Sequence, residues 1–411
     1  ASIPVRPTHS TSANRHGMLS PRSNESATTK ESRMQRPETA PEDALDALRQ
    51  RAEREINEGL LPAAQFAVAQ SGQLVAFESL GDCSDDTLFP IFSCTKAITS
   101  SLAWMALAEG KFKLDDLVSV YISEFGSNGK DGVTMLHLLT HTAGFPNAPY
   151  RPTDYWDPEK RAKRYEQWRL DWEPGTQFTY HPSSSMYVIA DVLERVWEDD
   201  FVSLINQRIA KPLNLPELLV GCPSHLQDRV ADIVHCGAAM TAKEYAALGL
   251  EMPPITEVTE DALTKFNEPE TRSVPIPGGG GYTSAKTLAL WYQALIGYGP
   301  ESRWQGLPWN EETVQRAREI RTHGLRDPIQ GYPVLRGLGI VIAGKEDAHL
   351  RGFGHGVSEG AFGHNGAGGQ IAWVDPETEL SFVYLTNGHD RHIIRQARRG
   401  IALSSLAANL A

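Results

Sequence analysis

The sequence contains no long uninterrupted hydrophobic run. Its most apolar stretches, such as residues 101–108, are far shorter than the roughly 18 residues that a membrane-spanning helix requires. We therefore expect no membrane partner. The N-terminal region also lacks the apolar segment of a secretory signal, and on that basis we expect a cytoplasmic protein.

An excess of basic residues is also missing. The chain has 39 Lys and Arg residues against 51 Asp and Glu residues, which gives a formal net charge of -12 at pH 7. A nucleic-acid binder needs a basic face that neutralises phosphates, so the composition argues against a nucleic-acid partner. A small-molecule partner is the default expectation, and the composition leaves the oligomeric state open.

Cysteine is scarce, with 4 residues in a chain of 411. They form no Cys-x-x-Cys pair, and we interpret all of them as reduced thiols. A disulfide between Cys222 and Cys236 is the alternative if the protein is secreted. His137 and His141 are four residues apart on a predicted helix, but the glutamate of His-Glu-x-x-His and a third ligand are missing. We expect no metal site and no organic cofactor.

The first 40 residues are rich in Ser, Thr, Arg, Asn and Pro. Such a segment buries too little apolar surface to offset its ordering entropy, which predicts a disordered N-terminal extension over residues 1–40. An organellar transit peptide is the weaker alternative. The remaining length allows two domains: an α/β sheet domain over residues 41–111 and 271–411, and a mostly helical domain over residues 112–270.

Hydrophobic periodicity places the main elements. A helix is predicted over residues 42–58, then strands over 64–69 and 74–80 joined by a turn at Ser71-Gly72. Strand-like runs return near the end at residues 338–343, 370–374 and 380–386. A C-terminal helix is predicted after them, over residues 390–410. The fold class is therefore α/β (α+β), with an antiparallel sheet built from both ends of the chain and flanked by helices.

The sequence Ser93-Cys94-Thr95-Lys96 is the first candidate for catalysis. On a helix, residues three apart share a face, so the Lys96 amine reaches the Ser93 hydroxyl. A lysine among apolar neighbours can act as a base for a serine nucleophile, and a helix start favours negative charge on the serine oxygen. The alternative is a capping serine followed by a surface lysine, which is common by chance.

Two later stretches carry further candidates. Tyr180 precedes a predicted helix, and its phenol, placed beside a lysine, would relay a proton to a leaving group. His364 lies in a glycine-rich segment before a strand, where it would donate to a substrate carbonyl or carboxylate. Each has a structural alternative: a half-buried tyrosine near a helix cap, and a solvated histidine in a turn.

Taken together and in this order, these stretches resemble the serine β-lactamase and penicillin-binding-protein superfamily, in particular the class C β-lactamase-like (family VIII type) carboxylesterases. Ser-x-x-Lys is a signature of related enzymes. The resemblance covers roughly residues 42–405 and extends to three supporting phrases: Leu136-His137-Leu138-Leu139-Thr140-His141-Thr142-Ala143-Gly144, Glu173-Pro174-Gly175 and Tyr384-Leu385-Thr386-Asn387.

The resemblance implies a β-lactamase-like/transpeptidase-like fold with Ser93 as nucleophile, Lys96 as its base and Tyr180 as the second acid/base group. It also implies an oxyanion hole made by the backbone amides of Ser93 and Ala367. His364-Asn365-Gly366 stands where the family has Lys-Thr-Gly or His-x-Gly, which makes these three residues candidates for substrate binding.

One departure from the family pattern indicates the substrate. Class C β-lactamases have Tyr-x-Asn, whereas Pro182 takes the third position here. Together with His364 in place of lysine, this favours an esterase of small molecules over an efficient β-lactamase. The alternatives are an acyltransferase, a D-amino-acid peptidase or a weak β-lactamase on the same site, and a catalytically silent binding protein with the same fold.

Three remaining features are interpreted by their context. Gly356-Val357-Ser358-Glu359-Gly360 matches the nucleophile elbow of α/β-hydrolases, but the residues after it are too glycine-rich to begin a helix, so we expect no catalytic role for Ser358. Trp156 lies among aromatic residues before Tyr180, and we hypothesise that it lines an acyl or alcohol pocket. The glycines 278–281 lack the Lys-Ser/Thr of a phosphate loop and are predicted to let the backbone turn near the site.

Overall fold

The computed structural model describes residues 42–249, 251–252, 259–301, 303–329 and 331–411. The predicted N-terminal extension lies outside these residues. In chain order the strands are β1 (Ala63–Gln70), β2 (Gln73–Gly81), β3 (Phe89–Pro90), β4 (Leu219–Val220), β5 (Val234–Cys236), β6 (Gly281–Thr283), β7 (Val341–Ile342), β8 (Phe362–Gly363), β9 (Ile371–Asp375), β10 (Leu380–Thr386) and β11 (Gly388–Asp390).

The α-helices follow the same numbering principle: α1 (Glu42–Asn57), α2 (Thr95–Ala108), α3 (Val118–Tyr121), α4 (Met135–Leu139), α5 (Pro158–Gln167), α6 (Ser184–Trp197), α7 (Phe201–Ile205), α8 (Ala242–Ala247), α9 (Glu260–Thr264), α10 (Pro269–Ser273), α11 (Ala285–Ala294), α12 (Glu311–Arg318) and α13 (Ile393–Ala408). A 3-10 turn, Phe92–Cys94, leads into α2, and a π-helical turn, Asn206–Ala210, follows α7.

A six-stranded sheet with the order β2-β1-β10-β9-β8-β7 forms the centre of the fold, and every pair in it is antiparallel. Side chains of β10 alternate between two cores: Phe382 and Tyr384 pack with α1 and α13, whereas Val383 and Leu385 pack with α2 and α11. Because successive side chains of a strand point to opposite faces, this run is buried throughout. The predicted fold class, an antiparallel sheet flanked by helices, is confirmed.

The hairpin and the N-terminal helix agree with the sequence patterns that predicted them. Ser71 and Gly72 both adopt positive φ, 49° and 81°, which is the backbone geometry that a tight two-residue hairpin loop requires. The hairpin exposes part of β2 but buries almost all of β1. The predicted helix over residues 42–58 corresponds to α1.

Two predicted elements have different limits in the structure. The strand predicted over residues 338–343 is reduced to β7, because the backbone at Gly339 passes so close to α2 that a Cβ there would lie 1.8 Å from Ser100 Oγ. The helix predicted from residue 390 begins at Ile393, because the preceding residues form β11 and pair with β5 in a parallel ladder.

Over residues 112–270 the described regular structure consists of helices and the short strands β4 and β5. The described residues from Glu42 onward belong to one compact unit. The division into two domains stays a prediction. Within this unit a second, three-stranded sheet, β3-β6-β4, connects the start of α2 with the glycine-rich segment before β6.

Candidate active site

Ser93 lies in the 3-10 turn at the start of α2, directly after β3. Phe92, the residue before it, adopts a left-handed φ of 43°, which is uncommon outside glycine. Two hydrogen bonds of the Thr95 side chain stabilise this turn: Oγ1 donates to Phe92 O at 2.6 Å and accepts from Gly281 N at 2.9 Å. The backbone around Ser93 is therefore fixed on both sides, and the serine itself stays half-buried.

Lys96 is completely buried and makes three hydrogen bonds. Its Nζ lies 3.2 Å from Ser93 Oγ, 2.6 Å from Pro182 O and 2.8 Å from Gly278 O. Nζ donates to the two backbone carbonyls and to the Ser93 hydroxyl. Within the described part of the chain no carboxylate forms an ion pair with Lys96.

The predicted glycine turn lies at this site and permits a close approach. A Cβ on Gly278 would be 3.2 Å from Pro182 O and 3.3 Å from Lys96 Nζ, and one on Gly281 would be 2.6 Å from Thr95 Oγ1. Gly279 is different, because the nearest atom to its Cβ would be 4.0 Å away. The glycines at 278 and 281 let the backbone reach Lys96 and the base of its helix.

Tyr180 is brought to the same place by the segment that also carries Pro182. Its ring centroid lies 5.0 Å from Lys96 Nζ, so the predicted pairing of phenol and lysine is seen as a contact with the ring. The Tyr180 hydroxyl is buried and has no hydrogen-bond partner among the described residues. Its ring also faces the guanidinium of Arg336 at 5.4 Å and the ring of His364 at 5.9 Å.

His364 also lies in this site, but both of its ring nitrogens are occupied. Nδ1 lies 2.7 Å from Asn365 O, and Nε2 lies 3.2 Å from Arg336 Nη1. Because a carbonyl only accepts, Nδ1 carries the proton and Nε2 accepts from Arg336. Burial, together with the nearby Arg336 and Lys96, holds the pKa of His364 well below its usual value. The sequence-based expectation that His364 donates to substrate is not supported by this arrangement, since its one proton is bound to Asn365 O.

Asn365 and Gly366 support the backbone of the third motif, the segment His364-Asn365-Gly366. Asn365 Nδ2 donates to Gly352 O at 2.9 Å, and Asn365 Oδ1 accepts from Ala372 N at 3.2 Å, so this amide side chain is engaged within the protein. A Cβ on Gly366 would lie 2.3 Å from Ile91 O. The glycine therefore allows the third motif to lie against the segment that leads to Ser93.

Ala367 follows this close approach and packs against the apolar cluster that contains Phe92, the residue before Ser93. Neither the Ser93 amide nor the Ala367 amide donates to an acceptor in the described part of the chain. Gln370 holds the two segments together, because its Nε2 donates to Pro90 O at 3.2 Å and to Thr386 O at 2.7 Å. Two free backbone donors on neighbouring segments are what a predicted oxyanion hole requires.

Trp156 does not join these residues. Its side chain is 58% exposed and lines a separate, largely apolar cavity of about 470 Å³ with residues of α7, β4 and the following loop. None of Ser93, Lys96, Tyr180 or His364 lines that cavity. The structure therefore places Trp156 at a cavity that none of these four residues lines, and its role in a substrate pocket stays a prediction.

The other sequence candidates have structural partners. Ser358 donates to Asp375 Oδ1 at 2.5 Å, and no helix follows it, so the α/β-hydrolase elbow is absent from this segment. His137 caps α4 by accepting from Thr134 N. The four cysteines are free thiols, as predicted. Among the described residues no His, Cys, Asp and Glu cluster suited to a metal ion was found, and no helix is long and apolar enough to cross a membrane.

Arg336 is the candidate residue that sequence reasoning missed. It is half-buried, and its guanidinium lies 5.6 Å from the Phe178 ring and 5.4 Å from the Tyr180 ring and donates to His364. No carboxylate lies within ion-pair distance of it among the described residues. No local motif marks this arginine, because every one of these contacts joins residues far apart in the chain.

The structure thus brings four features together: a half-buried serine at a helix start, a buried lysine bonded to it, a tyrosine beside the lysine and a glycine-rich strand edge. The family model described as Beta-lactamase matches residues 48–405. The chain therefore belongs to the β-lactamase family and has the β-lactamase/transpeptidase-like fold.

Individual relatives support this family assignment at low identity. Three β-lactamases match at 30–31% identity, but the alignments span only 37–56% of their lengths. "Esterase/beta-lactamase LipL" of Mycobacterium tuberculosis is 25% identical over 326 residues, which are 74% of this chain and 70% of that protein.

Two solved structures share the fold over nearly their whole length. A penicillin-binding protein homologue from Caulobacter crescentus has a TM-score of 0.73 at 25% identity, covering 91% of this chain and 99% of its own. A family VIII carboxylesterase has a TM-score of 0.70 at 24% identity, covering 88% and 96%. At 24% identity, the similarity to the family VIII carboxylesterase shows a shared fold.

Proposed function

We propose that this protein hydrolyses carboxylic esters of small molecules through an acyl-enzyme on Ser93. The observation that carries the proposal is the hydrogen-bond set of Lys96: one contact to Ser93 Oγ and two to backbone carbonyls. A lysine held in this way, without a paired carboxylate, is suited to accept the serine proton.

The proposed reaction uses each group in turn. Lys96 takes the proton from Ser93 as Oγ attacks the ester carbonyl, and the amides of Ser93 and Ala367 donate to the oxyanion that forms. Tyr180 passes a proton to the leaving alcohol and is reprotonated from Lys96, because its ring lies beside Nζ. Water then hydrolyses the acyl-enzyme and releases the acid, which returns Ser93 to its hydroxyl form.

An ester is preferred over a β-lactam for two reasons. Pro182 has no side-chain amide, and its carbonyl is already bound to Lys96. His364, which stands where related enzymes have lysine, is neutral and donates only to Asn365 O. The names of an "Esterase/beta-lactamase" among the relatives and a family VIII carboxylesterase among the solved structures agree with this preference.

Arg336 favours esters that carry a negative or electron-rich group near the scissile carbonyl. It is a half-buried cation beside Tyr180. No carboxylate forms an ion pair with it among the described residues, and Asp327 offsets part of the fall in its pKa that burial causes. In the proposed function the positive charge at this place comes from Arg336, which lies beside the third motif, and not from His364.

The test is hydrolysis of a p-nitrophenyl ester series alongside a chromogenic cephalosporin. We expect ester turnover in the parent, its loss in Ser93→Ala, and its retention in Ser358→Ala. Cephalosporin turnover well above ester turnover would replace the esterase proposal with a β-lactamase, and release of nitrophenol only when an acceptor alcohol is added would replace it with an acyltransferase. A correctly folded parent that reacts with no ester, lactam or acylating probe would indicate a silent binding protein.

A further inference from the structure

His141 is a buried imidazole that the proposed reaction does not use. It is 0% exposed, follows α4, and adopts a left-handed φ of 59°. A positive φ costs free energy in a residue other than glycine, and such strain persists only where the surrounding structure imposes it. A metal pair with His137 does not explain this residue, since no third ligand accompanies it among the described residues.

His141 accepts two hydrogen bonds that bracket Tyr180, one from each residue that flanks the tyrosine. The backbone oxygen of His141 accepts from Thr179 N at 3.3 Å, and its ring Nδ1 accepts from His181 N at 3.2 Å. Tyr180 is the residue between these two donors, and its ring lies 4.9 Å from the His141 ring. A single residue therefore fixes the backbone on both sides of the tyrosine and contacts its side chain.

The His141 ring can hold Tyr180 in this way only when it is neutral. Nδ1 accepts from a backbone N–H, so the ring proton must sit on Nε2. Burial, and then the nearby Arg336, keeps the pKa of His141 well below its usual value. The Nε2 atom is buried and finds no acceptor among the described residues. The site thus tolerates a strained φ and an unsatisfied donor at one residue, while the Nδ1 contact is kept.

His181 completes the support of the same segment. Its Nδ1 donates to Thr179 O at 2.6 Å, and its Nε2 accepts from Phe145 N at 3.1 Å. Pro182, the next residue, presents its carbonyl to Lys96. The bracket at His141 therefore acts on the short segment that delivers both Tyr180 and a carbonyl ligand of Lys96.

We propose that His141 is a positioning residue that holds Tyr180 in register with Lys96 through the acceptor nitrogen Nδ1. The inference rests on the proposed function, because it assigns a purpose to the placement of the proposed acid/base tyrosine. Displacing a catalytic group by about 1 Å costs on the order of 100-fold in rate, so loss of the bracket should act on kcat more than on KM.

Asparagine and glutamine provide a sharp test. The Oδ1 of His141→Asn can take the place of Nδ1, and asparagine tolerates a positive φ better than most residues. The amide of His141→Gln instead extends toward the Nε2 position. We expect His141→Asn to keep kcat within about threefold of the parent, and His141→Gln and His141→Ala to lose about tenfold or more with little change in KM, given the cost of misplacement.

Two control measurements distinguish the inference from the proposed function. Thermal unfolding midpoints show whether each variant is folded, and Ser93→Ala shows whether Ser93 is the nucleophile. Equal kcat in the folded Asn and Gln variants, or a parental kcat in His141→Ala, would overturn the positioning role while leaving the Ser93 proposal standing. If His141→Ala does not fold, the Asn and Gln pair decides alone. Turnover that survives in Ser93→Ala would overturn the proposed function itself.

Discussion

Two Ser-x-x-Lys tetrads occur in this chain, and their lysines are bonded in nearly the same way. Lys96 Nζ lies 3.2 Å from Ser93 Oγ and 2.6 and 2.8 Å from two backbone carbonyls. Lys130 Nζ lies 3.3 Å from Ser127 Oγ and 2.6 and 2.7 Å from two backbone carbonyls. Both lysines are completely buried. The lysine environment alone therefore does not identify a catalytic pair.

The two serines differ in what surrounds their hydroxyl groups. Ser127 Oγ has carbonyl acceptors in Glu166 O at 3.0 Å and Glu124 O at 3.2 Å, so its proton is bound within the protein. Asn128 and Gly129 then adopt positive φ, and the tetrad is a turn. Ser93 Oγ contacts Lys96 and no carbonyl among the described residues, and α2 begins two residues later. Ser93 therefore differs from Ser127 in two ways: its hydroxyl has no carbonyl acceptor among the described residues, and it lies at the start of a helix.

The largest effect that would test this comparison comes from replacing each lysine by methionine. We expect Lys96→Met to lower kcat for ester hydrolysis by about 10²–10⁴-fold, the usual contribution of a general base. Lys130→Met should keep kcat close to the parent, because the Ser127 proton is already bound to a carbonyl. Steady-state kinetics on one p-nitrophenyl ester measures both. Similar losses of kcat in both variants, with both folded, would remove the distinction.

A smaller loss is expected when the approach of the glycine turn to Lys96 is blocked. Gly278→Ala places a methyl group 3.3 Å from Lys96 Nζ and 3.2 Å from Pro182 O, so one of the lysine's bonds must lengthen. We expect kcat to fall about tenfold, as small misplacements of catalytic groups do. Gly279→Ala is the matched control, since its methyl group has open space. Equal kcat in the two variants would argue against a requirement for this carbonyl contact.

Arg336→Met is expected to change substrate preference and the titration of His364. Burial is the main cause of the low pKa of His364 and Arg336 is the next, so removing the cation should raise that pKa toward its ordinary value. The ring would then gain a proton on the acid side of neutrality, where the parent ring stays neutral. NMR titration of His364 measures the shift, with Arg351→Met as control. An unchanged pKa of His364 in Arg336→Met would show that Arg336 does not act on His364. In the kinetic measurement, the KM of Arg336→Met should rise several-fold for anionic esters and little for neutral ones.

Lys130 allows a test on stability instead of activity. Burial, with Arg169 nearby, lowers its pKa from 10.5 to about 8. Between these values the unfolded chain binds the proton that the folded chain has released, so the free energy of unfolding should rise with pH across about pH 8 to 10.5. Urea unfolding at pH 7.5 and pH 10 should show this gain in the parent and not in Lys130→Met. The same pH dependence in both proteins would contradict a buried lysine with a lowered pKa.

Trp156→Ala should have the smallest effect on catalysis. The side chain lines a cavity apart from the proposed catalytic residues, so kcat and chain-length selectivity should match those of the parent. Loss of activity on bulky esters, with short esters unaffected, would indicate that Trp156 lines the substrate pocket.

Sequence reasoning performs best where the chemistry is local. Ser93 and Lys96 are three residues apart, so the geometry of a helical turn determines their contact, and the hairpin at Ser71-Gly72 follows from the backbone freedom that its turn requires. Glycines at 278 and 366 are predictable near the site because close backbone approach is what glycine permits. The strand pattern of β10 likewise matches its observed limits.

The parts that sequence reasoning misses are set by contacts between distant segments. Arg336 is ordinary in its own segment and gains significance only from His364 and Tyr180. The substrate-binding role expected of His364 stays a prediction, and the sequence could not show that its tautomer depends on Asn365 O and on that arginine. Trp156 was placed by its neighbours in sequence, whereas tertiary packing puts it in another cavity. The roles of Ser93, Lys96, Tyr180 and Ala367 stay predictions.

The most direct measurement is mass spectrometry of the protein quenched during turnover of a p-nitrophenyl ester, with peptide mapping of the acyl group. The account predicts one acyl adduct, on the peptide that carries Ser93, and no adduct and no turnover in Ser93→Ala. An adduct on Ser127 or Ser358, or turnover that persists in Ser93→Ala, would contradict it.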